Sequence, residues 1–151
     1  MIQRIQTVYL LLAAIVSSIC LFMQIGLYEP ETMGVGYRMY NLYLIDGEHR
    51  LSFRVAPLFV LLVLQIVVCL VTIFKFNNRK QQMHMCLWAN GLIVSWFVAY
   101  ALYAFVLGVE GHTFYVLWPM VLPLVAFVFI VLARRGIRAD EKLVRAADRI
   151  R

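Results

Sequence analysis

Four long apolar segments alternate with short polar ones along the chain. The clearest lies between Arg54 and Lys75, where residues 55–74 form a run of 20 residues without a charge. As an α-helix, such a run is about 30 Å long, which is the thickness of the hydrocarbon core of a bilayer. Three further segments have the same character: residues 6–26, 85–107 and 113–133. The pattern therefore predicts four transmembrane helices.

Short connections and small residues favour a compact arrangement of these helices. Gly91, Ser95 and Ala99 recur at a spacing of four, which lets two helix backbones approach closely. We therefore expect an all-α membrane protein, an antiparallel bundle of four transmembrane helices that forms a single domain over residues 1–151. Residues 27–54 would form an exported loop, and residues 134–151 a cytoplasmic helical tail.

The exported loop carries a β pattern rather than a helical one. If Asp46-Gly47 forms a two-residue turn, Ile45 faces Glu48 and Leu44 faces His49. This register places five large side chains on one face of a small β-hairpin: Tyr40, Leu42, Leu44, Leu51 and Phe53. An isolated hairpin is marginal in water, so this face needs a partner. The outer ends of the helices, the lipid surface and another protein are the alternatives.

The distribution of positive charge predicts the orientation in the membrane. Of the 14 Lys and Arg residues, 11 flank the side that carries both termini, and 3 lie in the first exported loop. By the positive-inside rule, both termini are then cytoplasmic. A net charge of +6 would suggest nucleic acid in a soluble protein, but with this distribution we expect no specific nucleic-acid partner.

The three cysteines give no sign of disulfide or lipid chemistry. Cys20, Cys69 and Cys86 lie within or at the end of predicted spans, away from an oxidising compartment, so we predict no disulfide. Ser17 and Ile19 do not fit a lipid-attachment signal before Cys20. Since no cleavage site precedes a soluble domain, the first apolar run is predicted to be a retained helix and not a signal peptide.

A layer of polar side chains is predicted near the middle of the membrane. Its members are Ser17, Ser18, Gln65, Ser95 and Trp96. Hydrocarbon satisfies none of their hydrogen-bonding groups. The favoured interpretation is that they bond to one another and hold the helices together, at about 1 kcal/mol for each contact. The alternative is a crevice for a lipid headgroup or a small solute. Pro123 would kink the fourth span by freeing the carbonyl of residue 119.

Other chemistry finds little support in the sequence. No charged or histidine residue lies deep in a predicted span, which argues against proton relays, ion coupling and charge-selective pores. His49, His84 and His112 have no partner at helical spacing, and His84 with Cys86 gives only a weak soft-metal pattern. We therefore predict no enzyme, no metal and no cofactor.

The tail carries a ladder of alternating charges. Arg138, Glu141, Arg145 and Asp148 share one helical face, and Val144 belongs to a thin apolar stripe beside it. One interpretation is a solvated helix whose basic residues lie near anionic lipid. The other is a docking helix for a cytoplasmic partner.

Both ends of the chain and the turn between the second and third spans carry a recognisable pattern. The segments are residues 1–14 (MIQRIQTVYLLLAA), 74–83 (FKFNNRKQQM) and 135–151 (RGIRADEKLVRAADRIR). The chain resembles a family of small four-span bacterial membrane proteins that is classed as a domain of unknown function. The resemblance implies a four-helix inner-membrane protein of a Gram-negative bacterium, with no activity and no catalytic residue to carry over.

These observations favour a non-catalytic accessory or scaffold subunit of a bacterial inner-membrane complex, in protein export or envelope assembly. Its expected partners are membrane lipids and other membrane protein subunits. The alternative is a binder or transporter of lipid or a small apolar solute that uses a midplane crevice around Gln65.

Overall fold

The computed structural model describes residues 2–31, 34–48, 50–75, 78–106, 108 and 111–148, with side chains described between residues 5 and 144. Its helices are α1 (Ile2–Phe22), α2 (Ala56–Phe74), α3 (Arg79–Phe105) and α4 (Leu122–Asp148). Its strands are β1 (Gln24–Pro30), β2 (Tyr37–Tyr40), β3 (Leu44–Asp46), β4 (Leu51–Ser52) and β5 (His112–Val116). Short 3-10 turns at Phe53–Val55 and Trp118–Val121 lead into α2 and α4.

Four helical segments are long and apolar enough to cross a membrane. They are Ile5–Phe22, Phe53–Phe74, Arg79–Phe105 and Trp118–Val144. The prediction of a mostly helical protein with four such helices is confirmed. Large apolar side chains cover their outer surfaces, as on α2, where Val60, Leu64 and Val67 are about half exposed. An apolar surface of this kind is stable against lipid and unfavourable in water.

The helices pack in a closed order, α1 against α2 and α4, and α3 against the same two. Two groups of buried side chains fill the space between them. One contains Leu10, Ile93 and Ile137 and lies toward the end of α4, which we call the tail end. The other contains Leu58, Leu62 and Trp96, together with residues of the strands, and lies at what we call the sheet end.

The strands form one antiparallel sheet in the order β4-β3-β2-β1-β5. The predicted hairpin is therefore only part of a larger sheet, and its predicted register is wrong. Leu44 pairs with Ser52 and Ile45 with Leu51, a shift of three residues. The tight two-residue turn lies instead at residues 41–42, where the Tyr40 amide donates to the Tyr43 carbonyl at 2.9 Å.

The shifted register divides the predicted apolar face. A shift by an odd number of residues exchanges the two faces of a strand. Leu44 is accordingly buried, whereas Leu51 and Phe53 are 57% and 59% exposed. Tyr40 and Leu42 are half-buried around the turn. His49, a predicted pairing partner, lies outside the described residues.

The fourth helix begins later than the sequence predicts, because residues 112–116 form β5 and not the start of a span. The aromatic and β-branched residues of this segment, HTFYV, favour a strand. Pro123 then occupies the second position of α4, where a missing amide costs little, so it does not kink a helix interior. The carbonyl of Pro119 accepts from the Leu122 amide and, at 3.6 Å, from the Cys20 thiol.

One face of the sheet packs on the helices. Tyr28, Met39 and Leu44 are buried on this face, together with Gly26. The Phe114 ring occupies the space in which a side chain at position 26 would lie. A Cβ on Gly26 would be 2.4 Å from Cζ of that ring. The sheet is therefore seated against the helices and is not a separate flap.

Candidate functional site

The turn at residues 41–42 inserts a buried amide between two helices. Asn41 is fully buried. Its Nδ2 donates to the Cys20 carbonyl of α1 at 2.7 Å, and its Oδ1 accepts from Nε1 of Trp96 on α3 at 3.0 Å. The predicted register leaves Asn41 off the apolar face of the hairpin, so this role was not predicted. Asparagine is a frequent turn residue, which is the signal in the sequence for this turn.

Two tyrosines join β1 to α3 in opposite directions. The Tyr28 hydroxyl donates to the Tyr103 carbonyl at 2.7 Å, and the Tyr100 hydroxyl donates to the Ile25 carbonyl at 2.8 Å. Tyr28 is 2% exposed. Burial raises the pKa of Tyr28 to about 12, because the charged phenolate loses its solvation. The Tyr28 hydroxyl therefore remains a donor at neutral pH.

The sheet fixed in this way ends in an edge strand. The Leu117 amide donates to the Ile25 carbonyl and the Glu31 amide to the Gly111 carbonyl, so every second residue of β5 bonds to β1. The backbone groups of the residues between them, Phe114 and Val116, point away from β1. No strand within the described ranges pairs with that edge. Beside it, Tyr115, Val116 and Trp118 are between 51% and 66% exposed.

The face of the sheet that points away from the helices bears a groove of about 500 Å³. Leu27 and Ile45 supply its apolar part, and Glu29, Arg38 and Asp46 its charges. Oδ1 of Asp46 is buried without a hydrogen-bond partner. The edge of β5 and this groove leave backbone and charged groups of the sheet open to a partner.

The predicted intramembrane layer does not form the mutual hydrogen bonds that the sequence predicts. Ser18 and Ser95 donate to carbonyls of their own helices, and Nε2 of Gln65 donates to the sulfur of Cys69 one turn further on. Trp96 bonds to Asn41 instead of the layer. Ser17 Oγ and Gln65 Oε1 are buried without a partner. No described bond joins two members of the layer.

The first turns of the predicted tail belong to the packed structure. Nε2 of Gln6 donates to Oδ2 of Asp140 at 3.1 Å, and Nη1 of Arg79 donates to the Asp140 carbonyl at 3.0 Å. Ile137 is 1% exposed among the buried residues of the tail end. α4 continues without a break to Asp148. The tail is thus an extension of α4 that is held by α1 and α3 up to Asp140.

The predicted docking residues of the tail have different environments. Arg138 is exposed, Glu141 is half-buried and makes a contact, and Val144 is 44% exposed. The side chains of Arg145 and Asp148 lie outside the described part of the chain. Whether these residues share a docking face remains a prediction.

One arginine of the predicted tail has a buried polar group. Arg134 falls within the segment of α4 that is apolar enough to cross a membrane, six residues or about 9 Å before Asp140. Its Nε is buried without a partner. Together with Val131, Arg135 and Arg138 it lines a small cavity of about 120 Å³. The predicted fourth span ends at residue 133, so Arg134 was assigned to the tail.

Metal binding and thiol chemistry have no geometric support among the described side chains. No group of three or more His, Cys, Asp or Glu residues is found there that could hold a metal ion. His84 is exposed and Cys86 is buried, with Nδ1 of His84 bonded to the Lys80 carbonyl at 2.8 Å. All three cysteines are buried and free.

Comparisons with known proteins identify a family for this chain but assign no activity to it. No curated protein matches the chain. A family model described as "Domain of unknown function (DUF4293)" matches residues 2–150, which is nearly the whole chain. The chain, with four helices long and apolar enough to cross a membrane and a sheet packed at one end of them, therefore belongs to the DUF4293 family.

Proposed function

We propose that this protein is a non-catalytic accessory or scaffold subunit of a bacterial inner-membrane complex, and that its sheet is the docking surface for a partner subunit. The observation that carries the proposal is the open edge of β5, next to exposed Tyr115 and Trp118. An edge strand offers a row of backbone donors and acceptors to an extended segment of another chain.

The way the sheet is held supports this role. Asn41, Tyr28 and Tyr100 fix the sheet to α1 and α3, so β5 is presented in one orientation. A preorganised surface loses less conformational entropy on binding than a mobile loop would. The same rigidity is typical of a subunit that positions others and carries out no chemistry of its own.

The proposed orientation places the sheet outside the cytoplasm. The tail end carries most of the positive charge, and the positive-inside rule assigns such an end to the cytoplasm. The contact of Gln6, near the start of α1, with Asp140, near the end of α4, supports an antiparallel arrangement of these two helices. Both termini would then be cytoplasmic. The resemblance to Gram-negative proteins favours the inner membrane, and a rigid surface on its outer side suits protein export or envelope assembly.

A lipid or solute binder that uses a crevice around Gln65 has less support. Gln65 and Ser17 are both fully buried. Neither lines the groove on the sheet, the small cavity beside Arg134 or a further cavity at the start of α3. Gln65→Leu would remove the polar group without opening or closing a path. We therefore keep the binder as the alternative outcome of the experiment below.

The test is affinity purification of the full-length protein from its native membrane in a mild detergent, followed by mass spectrometry. Val116→Pro removes an amide that points to the open edge and leaves the β1–β5 hydrogen bonds in place. Val116→Thr is the matched control, because it keeps the amide and the branched shape. We expect partners that copurify with the wild type and with Val116→Thr, and that fall at least about tenfold with Val116→Pro, the loss expected when one hydrogen-bonded contact of an interface fails.

Two results would contradict the proposal. One is a protein that purifies alone with a defined lipid that is lost in Gln65→Leu, which would establish the binder instead. The other is a set of partners that is the same for both Val116 variants. A truncation after Lys142, which retains the Asp140 contacts, would then test the rest of the tail.

A further inference from the structure

A third cavity, of about 570 Å³, lies at the tail end between Lys75, which follows α2, and the first turns of α3. Lys75, Lys80, His84, Met85 and Trp88 are among the residues that line it. We call it the α2–α3 cleft. It is at the opposite end of the helices from the sheet, so it is independent of the proposed docking surface.

The lining of the cleft changes from basic to apolar along α3. Lys80, His84 and Trp88 are four residues apart and therefore share one face of the helix over about 12 Å. Trp88 is 72% exposed, and the nearby end of α2 presents Phe74 at 79% exposure. The lysine end of this stripe lies where the uncharged run of α2 stops. The tryptophan end lies along the apolar part of α3, where an interfacial aromatic ring is favoured.

The two lysines are available to an anion. Lys75 and Lys80 are exposed, and no acidic residue is among those that line the cleft. Arg79, which lies between them in sequence, donates to the Asp140 carbonyl and so reaches α4. His84 is also held in place. Because a carbonyl oxygen can only accept, Nδ1 of His84 is the donor of the 2.8 Å hydrogen bond to the Lys80 carbonyl. Nε2 is then the ring nitrogen that remains for a ligand.

We infer that the α2–α3 cleft binds an anionic phospholipid. Its phosphate would lie between Lys75 and Lys80, and the start of an acyl chain would lie against Met85 and Trp88. The positive charge selects an anion, and the exposed ring continues the site into the surface that faces lipid. A free phosphate would use only the lysine end and would leave the apolar end without a role. The occupant is therefore a lipid headgroup together with its chain.

Quenching of tryptophan fluorescence by brominated lipid acyl chains tests this inference. The full-length protein in mild detergent is titrated with brominated phosphatidylglycerol or, as the neutral match, brominated phosphatidylcholine. The chain has three tryptophans, so the Trp88 signal is taken as the difference between wild type and Trp88→Phe. Trp118, at the sheet end and 66% exposed, serves as an internal reference for quenching without headgroup preference.

We expect half-maximal quenching of Trp88 at a lower mole fraction of the anionic lipid than of the neutral one. A lysine near an anionic lipid surface changes binding about fivefold, so Lys75→Gln with Lys80→Gln should raise the required fraction roughly 25-fold. Arg135→Gln with Lys142→Gln is the matched control: it removes the same charge from exposed positions of α4 and should leave the quenching unchanged.

Three results would overturn the inference. Equal quenching of Trp88 by both lipids would show that the cleft does not recognise a headgroup. Unchanged quenching in the Lys75 and Lys80 double variant would show that the lysines do not bind it. Full displacement of the brominated lipid by millimolar glycerol phosphate would show that the ligand is a soluble phosphate. None of these results depends on whether β5 binds a partner.

Discussion

At the sheet end of the helices, Asn41, Tyr28 and Tyr100 each donate to a backbone carbonyl of another element. At the tail end, Arg79 and Gln82 also donate to backbone carbonyls, those of Asp140 and Thr72. Gln6, however, bonds to the side chain of Asp140, and the buried Asn90 Oδ1 and Arg134 Nε have no hydrogen-bond partner. A backbone carbonyl is present only where the fold puts it, whereas a side-chain partner can move with its rotamer. The three side chains that hold the sheet are therefore each fixed in one geometry, whereas Gln6, Asn90 and Arg134 can change partner.

Among the tests of this comparison, we expect Asn41→Leu to have the largest effect on stability. It leaves Nε1 of Trp96 without a partner in a fully buried place. The Cys20 carbonyl loses the shorter of its two hydrogen bonds and keeps the one from the Met23 amide at 3.3 Å. We expect a loss of about 3 kcal/mol in the free energy of unfolding, from one buried donor left unsatisfied and one further hydrogen bond lost. Denaturation of the detergent-solubilised protein, followed by tryptophan fluorescence, measures it.

The matched change at the tail end is Gln6→Leu. It removes one hydrogen bond to a half-buried carboxylate that water can still reach, so we expect a loss of about 1 kcal/mol or less. Equal losses for Asn41→Leu and Gln6→Leu would show that the two ends are equally rigid and would remove the contrast.

Gly26 gives a second test of how firmly the sheet is seated on the helices. Gly26→Ala would drive a methyl group into the Phe114 ring, which itself packs on Tyr28 with ring centroids 4.7 Å apart. We expect this variant to lose about 2 kcal/mol, because a shift of the ring would disturb its contacts with Tyr28 and with Tyr100, whose ring centroid lies 5.8 Å away. Thermal unfolding of the purified protein measures the change.

Gly91→Ala is the control for this variant, because Gly91 lies inside α3 and an added Cβ meets nothing within 4 Å. Alanine favours a helix over glycine, so this variant should gain roughly 0.5–1 kcal/mol. The two glycine variants should therefore shift stability in opposite directions. A gain for both would mean that the sheet is loosely seated.

The membrane-crossing helices could be predicted because their signal is local. The expected segment 55–74 and the observed Ala56–Phe74 differ by one residue, since an uncharged run between two basic residues fixes both ends. The start of α4 could not be found in this way. Residues 113–121 are as apolar as a span, and only pairing with β1, far away in the sequence, makes part of them a strand.

The contacts that define the candidate surface are also distant in sequence. Asp46-Gly47 is a strong local signal for a tight turn, but the Tyr40–Tyr43 turn before it set the register of β3 and carried Leu44 onto the buried face. Asn41 bonds to residues 21 and 55 positions away along the chain. No periodicity within the loop contains that information, so the predicted apolar face was divided between the two sides of the sheet.

The smallest effect that sharpens the comparison is a pH dependence at the sheet end. Burial raises the pKa of Tyr28 from 10.0 to about 12, so between these values the folded protein holds a proton that the unfolded chain releases. The stability that comes from keeping the buried Tyr28 neutral is then complete below pH 10.0 and is lost as the pH rises toward 12. Tyr28→Phe should be less stable than the wild type by about 1 kcal/mol at pH 8, and this gap should shrink steadily above pH 10. Denaturation of both proteins from pH 8 to pH 11.5 measures it, and all other titrating groups are common to the pair. A gap that stays constant over this range would mean that the Tyr28 hydroxyl is open to water, and that the sheet is held to α3 less tightly than its contact with the Tyr103 carbonyl implies.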